Sequence, residues 1–230
     1  MKEQIIIESI PSIIWGKPSN NVYIFVHGNN SQKEEAESFA DIASKKGYQV
    51  ISFDLPEHGE RRDNTYKCTV QNGVYDLKII GKFARDHWKK ISLYACSIGS
   101  YFSMLAYKDL PLSNCLFLSP ILDMEIFIKN IMKWSKVDED MLKERQEIPT
   151  SFGETLSWEY YSYVKAHPVR KWTTPTYILY GTNDKLTERD TVDKFINRFK
   201  CSLEVFPGGD HYFHSKEQLE ILMKWIERNI

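Results

Sequence analysis

Residues 91–99 read Ile-Ser-Leu-Tyr-Ala-Cys-Ser-Ile-Gly, an apolar run that ends in a serine. The first six residues are typical of a buried β-strand, and 98–108 has the apolar spacing of a helix. A serine in a tight strand-to-helix turn has a strained backbone and an exposed Oγ, and the turn requires small residues two positions to either side. Ala95 and Gly99 fill those positions. The stretch therefore predicts a nucleophilic Ser97 at the carboxyl end of a strand.

Short apolar runs alternate with longer helix-periodic runs on both sides of this stretch. Strands are predicted at 22–26, 48–55, 116–118, 176–180 and 203–206, and one or two more, as a hairpin interrupted at Pro11, at 5–14. Helices are predicted at 31–47, with Ser31 and Glu34 as a capping box, at 70–88, around 195–199, and from Ser215 to the end, with 219, 222, 223 and 226 inward. This alternation predicts an α/β fold with a mostly parallel central sheet and helices on both faces.

Residues 123–172 interrupt that alternation. They contain a helix with apolar positions 124, 127, 128, 131 and 132 on one side, then a charged stretch, then an aromatic-rich segment at 158–163. We interpret them as a small helical cap inserted into a single domain that spans 1–230. The aromatic side chains of 152–172 fit either ordinary core packing or the lining of an acyl pocket.

The composition is that of an ordinary globular protein, with 42% hydrophobic and 27% charged residues and a formal net charge of −1. That charge gives no reason to expect nucleic acid or an anionic membrane as a partner. The four cysteines are scattered without a CxxC pair, which argues against a zinc site or a disulfide framework. No signal peptide and no membrane-length apolar run is present, so we expect a soluble, cytoplasmic protein. The sequence indicates no metal or cofactor and no oligomeric state.

A second motif, His-Gly-Asn-Asn at 27–30, directly follows the first predicted parallel strand. Its glycine allows a sharp turn, after which the N–H of Asn29 can point into a cleft. Together with the N–H of Ile98, this donor would form an oxyanion hole, in which each donor contributes about 3–4 kcal/mol to the transition state. His27 itself is expected to be structural and bonded to backbone.

Two more polar segments follow the last two predicted strands, Tyr-Gly-Thr-Asn-Asp at 180–184 and Gly-Gly-Asp-His at 208–211. Loops at the carboxyl edge of a parallel sheet converge on one crevice, so residues far apart in sequence can meet there. A nucleophilic serine needs a base, and the base needs an acid that fixes its tautomer. The order Ser97, Asp184, His211, each just after a strand, predicts nucleophile, acid and base.

Each role has a competing candidate. Asp123 also follows a strand and is the alternative acid, although we favour Asp184. Cys96 is the better intrinsic nucleophile, but it lies one residue from the tip of the turn and is expected to be buried. Asp210 is expected to point away from the neighbouring histidine. The remaining histidines are expected to be structural or at the surface: His58, His87, His167 and His214.

The chain resembles the α/β-hydrolase superfamily over nearly its whole length, through the segments VYIFVHGNN, VISFDLPEHGE, LYACSIGS, YILYGTNDKLT and FPGGDHYF. The resemblance implies a serine esterase or lipase-like member, with Ser97 as nucleophile, Asp184 as acid and His211 as base. It also implies Asn29 and Ile98 as oxyanion donors and 123–172 as a cap over the substrate. Ala95 stands where the family usually has glycine, and Pro-Glu at 56–57 where it often has Arg-Gly or Pro-Gly.

These features together predict cleavage of a carboxylic ester, or a related small acyl compound, through an acyl-enzyme. The same triad serves thioesterases, acyltransferases and carbon–carbon hydrolases, so these remain alternatives. A non-catalytic receptor that binds a small ligand on the same fold is a further alternative. The complete set of Ser97, Asp184 and His211 argues against that last reading.

Overall fold

The computed structural model describes residues 1–62, 65–151 and 153–230. The chain forms two compact units: Met1–Leu122 together with Lys171–Ile230, and Asp123–Arg170. The boundary at residue 171 differs by two positions from the expected end of the insertion. Trp172 belongs to the first unit, where it stacks on Phe117 at 5.8 Å between ring centroids and donates a hydrogen bond to Thr176.

The first unit is built on an eight-stranded sheet in the order β1-β2-β4-β3-β5-β6-β9-β10. All neighbouring pairs are parallel except β1–β2 and β2–β4. The mostly parallel sheet predicted from the sequence is therefore confirmed. Its strands are β1 (Lys2–Ile7), β2 (Ile10–Trp15), β3 (Asn21–Val26), β4 (Gln49–Phe53), β5 (Lys90–Cys96), β6 (Cys115–Leu118), β9 (Thr176–Gly181) and β10 (Ser202–Phe206).

Helices cover both faces of this sheet. Alternate residues of β3 point to opposite faces: Tyr23 and Phe25 pack with side chains of α1 and α8, while Val26 faces α3. α2 lies beside α3, where Gly73 approaches the ring of Phe102. The helices of this unit are α1 (Glu37–Lys45), α2 (Val70–His87), α3 (Ile98–Ala106), α7 (Arg189–Phe199) and α8 (Lys216–Asn229).

The hairpin β1–β2 corrects one detail of the sequence reading. The chain turns at Glu8 and Ser9, both with positive φ (45° and 72°), and not at Pro11. Pro11 lies inside β2, opposite Ile6, and its carbonyl accepts the N–H of Asp54. A two-residue turn with two positive φ angles normally selects asparagine or glycine, so this turn gave no sequence signal.

Two helix predictions also need correction. Ser31 and Glu34 form no capping box, because the chain first makes a 3₁₀ turn at Lys33–Ala36 and α1 begins only at Glu37. In α8, Leu219 is 40% exposed while Trp225 is buried, so the inward face is rotated from the predicted one. The predicted N-cap of α8 is confirmed, since Ser215 Oγ accepts the N–H of Gln218.

The described part of the second unit, residues 123–151 and 153–170, contains three helices and a small hairpin. Its charged stretch, left without structure by the sequence reading, forms α5, which Asp138 caps by accepting the N–H of Met141. Phe152, part of the aromatic group noted above, lies outside the described residues. The elements are α4 (Met124–Trp134), α5 (Glu139–Arg145), β7 (Glu147–Pro149), β8 (Thr155–Ser157) and α6 (Trp158–Ala166).

Candidate active site

The turn between β5 and α3 holds Ser97 in a strained conformation. Its φ of 50° and ψ of −121° lie outside the regions that non-glycine residues ordinarily occupy. Its backbone is fixed on both sides, since its N–H donates to Leu118 O and its carbonyl accepts the N–H of Ile121. Gly99 is required here because a Cβ at that position would lie 2.5 Å from the carbonyl oxygen of His27. Ala95, by contrast, is accepted inside β5.

The sheet order places two of the predicted segments side by side. β3 is hydrogen-bonded to β4 on one edge and to β5 on the other, so the chain changes direction in the sheet between β3 and β5. Crevices at the carboxyl ends of strands form at such switch points. The loop after β3 and the turn after β5 meet there: a Cβ on Gly28 would lie 3.2 Å from Cβ of Ser97.

His211 bridges Ser97 and Asp184, although 114 residues separate it from the serine. Its Nδ1 lies 2.8 Å from Asp184 Oδ2, and its Nε2 lies 2.8 Å from Ser97 Oγ. A carboxylate can only accept, so Nδ1 carries the proton and Nε2 accepts from the serine hydroxyl. The Asp184 side chain is fully buried, while that of His211 is 18% exposed.

Asp184 is held by its own loop. Its Oδ1 accepts the backbone N–H groups of Leu186 (2.8 Å) and Thr187 (3.1 Å), which leaves Oδ2 for the imidazole. The acid and histidine loops are also joined directly, because Asn183 N–H donates to Gly209 O at 2.8 Å. These bonds fix the acid and the histidine relative to each other.

His27 fixes the start of the loop after β3. His27 Nδ1 lies 2.7 Å from the carbonyl of Gly28, and its Nε2 accepts the N–H of Leu55. Because the peptide is trans, fixing the Gly28 carbonyl also fixes the opposite direction of the Asn29 N–H. Burial lowers the pKa of His27 to about 4, so the ring is neutral near pH 7. These bonds give His27 the structural role that the sequence predicted.

Solved structures resemble this chain over almost its entire length. Est1E from Butyrivibrio proteoclasticus, in a structure with ferulic acid bound, has 19% sequence identity and a TM-score of 0.77, with 98% of this chain and 96% of that chain covered. Mouse alpha/beta hydrolase domain-containing protein 10 has 16% identity and a TM-score of 0.77, with 99% and 97% covered. The chain has the α/β-hydrolase fold.

A thioesterase domain from the curacin biosynthetic pathway shares the α/β-hydrolase fold at 14% identity, with a TM-score of 0.62 and 98% of both chains covered. No protein-family sequence model matches the chain, and no curated protein sequence matches it. At these identities the likeness concerns the fold alone.

The competing candidates occupy other places in the α/β-hydrolase fold. Asp123 caps α4 by accepting the N–H of Ile126, and its side chain is engaged there. Burial raises the pKa of the Cys96 thiol to about 12, which keeps it protonated and poorly nucleophilic. Asp210 turns away from the neighbouring histidine and accepts a hydrogen bond from Gln218 Nε2.

Nothing in the sequence indicated that Lys33, in the loop after β3, forms a buried ion pair with Asp54. Lys33 is 2% exposed, and its Nζ lies 2.8 Å from Asp54 Oδ2 and 2.6 Å from Glu60 Oε1. Asp54 Oδ1 also accepts the backbone N–H of Lys33 at 2.9 Å. A lysine in a polar stretch gives no sign of burial. The burial of Asp54 could have been predicted, because this residue follows an apolar strand.

Within residues 1–62, 65–151 and 153–230, no group of three or more His, Cys, Asp or Glu side chains is arranged to hold a metal ion. None of the described helices combines the length and the apolar character needed to cross a bilayer.

Proposed function

We propose that the protein is a serine hydrolase that cleaves a carboxylic ester through an acyl-enzyme. His211 Nε2 takes the proton of Ser97 Oγ as this oxygen attacks the ester carbonyl carbon. The carbonyl oxygen becomes an oxyanion, stabilised by the N–H groups of Asn29 and Ile98. The imidazolium returns its proton to the leaving alkoxide, which departs as an alcohol. A water molecule, deprotonated by His211, then releases the acid and restores the serine.

The observation that carries the proposal is the geometry around His211, whose two ring nitrogens each lie 2.8 Å from an oxygen of Ser97 or Asp184. Both distances are within hydrogen-bond reach, as a general base requires. The strained backbone of Ser97 adds support, because strain of this kind is typical of functional positions. Ile98 is the first residue of α3, so its N–H has no partner within the helix.

The surroundings of His211 and Ser97 would stabilise the charges that form during the proposed reaction. When the imidazole takes the serine proton, the positive charge forms beside the fully buried carboxylate of Asp184. The negative charge forms on the other side, near the amino end of α3, where the helix dipole is positive. Both developing charges therefore meet fixed charges of opposite sign, which is the arrangement that lowers an acyl-transfer barrier.

The deciding experiment compares wild-type protein with Ser97→Ala in hydrolysis of p-nitrophenyl butyrate. We expect the variant to lose at least about 10³-fold in kcat/KM, since the nucleophile is removed. Ser103→Ala is the matched control, because Ser103 is buried in α3, the helix that follows Ser97, and its Oγ has no hydrogen-bond partner among the described residues. Wild-type-like hydrolysis by Ser97→Ala would refute the proposal.

A substrate panel then separates ester cleavage from the alternatives on the same triad. Matched butyryl esters, thioesters and amides should give the highest kcat/KM for the ester, because esters demand least from the binding site. A preference for the thioester would reassign the substrate class and leave the roles of the three residues intact. No turnover of any acyl compound, together with no labelling of Ser97 by a fluorophosphonate, would favour the receptor alternative.

A further inference from the structure

Two loops lie side by side at the carboxyl ends of β3 and β4: the oxyanion loop, residues 27–33, and the β4 loop, residues 54–60. Three backbone N–H groups cross between them to side-chain acceptors. Leu55 N–H donates to His27 Nε2 (3.1 Å), Asn30 N–H to His58 Nε2 (3.1 Å), and Lys33 N–H to Asp54 Oδ1 (2.9 Å). The middle bond is the one nearest in sequence to the proposed donor Asn29.

The partners of His58 define which proton state makes that middle bond. Its Nδ1 lies 2.7 Å from the carbonyl of Pro56, which can only accept, so Nδ1 carries a proton. The N–H of Asn30 can only donate, so Nε2 must be unprotonated to receive it. The bond therefore exists only with a neutral imidazole.

A second group lies close to the same nitrogen of His58. The side-chain Oδ1 of Asn29 lies 3.1 Å from His58 Nε2, and this oxygen can only accept. It gains a hydrogen bond only when Nε2 carries a proton. Protonation of His58 thus exchanges a bond to the backbone of Asn30 for a bond to the side chain of Asn29.

We propose that His58 is a positioning residue for the oxyanion loop and that its protonation loosens the backbone at Asn30, and with it the donor at Asn29. Asn30 has a φ of 58°, a left-handed conformation that asparagine adopts more readily than most non-glycine residues. The bond to His58 Nε2 holds its N–H in that conformation. This inference rests on the proposed function, since it concerns the donor that serves the acyl-transfer oxyanion. His58 acts through the loop and touches no reacting atom.

The titratable and charged groups around His58 come from three segments. His27, at the end of β3, has its ring 5.2 Å from that of His58 and is neutral near pH 7 because burial lowers its pKa to about 4. Glu57, on the same loop, is paired with Lys67 at 2.7 Å and accepts the N–H of Cys68. Lys33 pairs with Asp54 at 2.8 Å and with Glu60 at 2.6 Å. Its Nζ also lies 3.2 Å from Glu34 Oε1, so one lysine serves three carboxylates beside the two loops.

The test is the ratio of kcat for His58→Gln to kcat for wild type, measured on the same ester from about pH 8 to about pH 5. Glutamine can place an amide oxygen near the position of Nε2, so it accepts from Asn30 and does not titrate. The ratio should rise about tenfold as pH falls, a fraction of what loss of an oxyanion donor costs. Dependence on the general base cancels in the ratio. A purely structural role would shift the ratio by a constant factor.

Two more variants bracket this result. His58→Leu lacks an acceptor at every pH, so its kcat should lie about tenfold below wild type at pH 8 and approach wild type at pH 5. His87→Gln is the matched control, because His87 is exposed at the end of α2 and its ratio should stay flat. A flat ratio for His58→Gln would overturn the proposal.

A readout that needs no activity separates this proposal from the function on which it rests. In a ¹⁵N NMR titration of wild-type protein, the amide of Asn30 should shift with the same midpoint as the ring nitrogens of His58. An Asn30 amide that ignores the protonation of His58 would refute the positioning role even in an active enzyme. If Ser97→Ala remains active, the proposed function fails, while the NMR titration still decides on His58.

Discussion

The two loop pairs at the carboxyl edge of the sheet are held together by different kinds of bond. The loops after β9 and β10, which carry the acid and the histidine, are joined by backbone bonds such as Thr182 N–H to Phe206 O at 3.0 Å. The hydroxyl of Thr182 and the amide of Asn183, which do not titrate, add bonds to the backbone of Gly208. The loops after β3 and β4, which carry a proposed oxyanion donor, are joined through the side chains of His27, His58 and Asp54. Backbone bonds do not titrate and imidazoles do. Sensitivity to pH outside the general base is therefore expected on the oxyanion side.

The largest effect is expected from breaking the acid–histidine contact with Asp184→Asn. Oδ1 of Asp184 already accepts two N–H groups, so an asparagine in the same orientation turns its NH₂ toward Nδ1 of His211. That amide favours the wrong imidazole tautomer, and kcat should fall roughly 10⁴-fold with little change in stability. Steady-state kinetics and a thermal melt measure the two quantities.

Asp123→Asn is the paired control for that prediction. Asparagine caps a helix as well as aspartate does, so the cap of α4 should survive and both activity and melting temperature should stay near wild type. If Asp123→Asn proves the damaging change and Asp184→Asn does not, the acid has been assigned to the wrong residue.

The sequence predicted the arrangement of one loop pair better than that of the other. Ser97, Asp184 and His211 each follow a strand, and a parallel sheet brings such positions to one edge, so their meeting could be predicted from order alone. The structure brings the three side chains within hydrogen-bond distance. Their catalytic roles remain a proposal.

The oxyanion side was less accessible from sequence. His27 was correctly expected to bond to backbone, but the exchange of partners at His58 depends on atoms of Asn29 and Asn30 placed by the fold. The hairpin turn at Glu8 and Ser9 escaped for a similar reason. There the pairing of β1 with β2 sets the turn, and neither residue at its tip favours a positive φ.

A smaller effect, on stability, is expected on the oxyanion side from His27. The pKa of His27 is about 4 in the folded protein, against an ordinary value of 6.5. As pH falls from 6.5 to about 4, the unfolded chain gains a proton at this residue that the folded chain does not, so the folded state loses stability. The loss amounts to about 3 kcal/mol from His27 alone.

His27→Gln removes this titration. Urea denaturation gives the free energy of unfolding of each protein at about pH 7 and at about pH 4. The decrease between the two pH values should be smaller in the variant than in wild type, by about 3 kcal/mol. All other groups cancel in the comparison. Parallel losses in the two proteins would show that His27 does not stay neutral in the folded state.

The smallest effect tests the backbone contact between the acid and histidine loops. A Cβ at Gly181 would lie 2.2 Å from the carbonyl oxygen of Gly209, so Gly181→Ala must push the two loops apart. We expect a loss of about 2 kcal/mol in unfolding free energy, together with a lower kcat that shows no new dependence on pH. Thr182→Val, which removes only the hydrogen bond to Gly208 N–H, should cost about 1 kcal/mol. A new acid-side pH dependence in Gly181→Ala would erase the distinction between the loop pairs.

The central claim is that His211 activates Ser97, and covalent labelling measures this most directly. Wild type, His211→Gln and Ser97→Ala are treated with a fluorophosphonate, and the modified residue is located by fragmentation mass spectrometry. Our account predicts a single adduct on Ser97 in wild type, labelling slower by at least about 10³-fold in His211→Gln, and no adduct in Ser97→Ala. An adduct on Cys96, or equal labelling rates with and without His211, would contradict it.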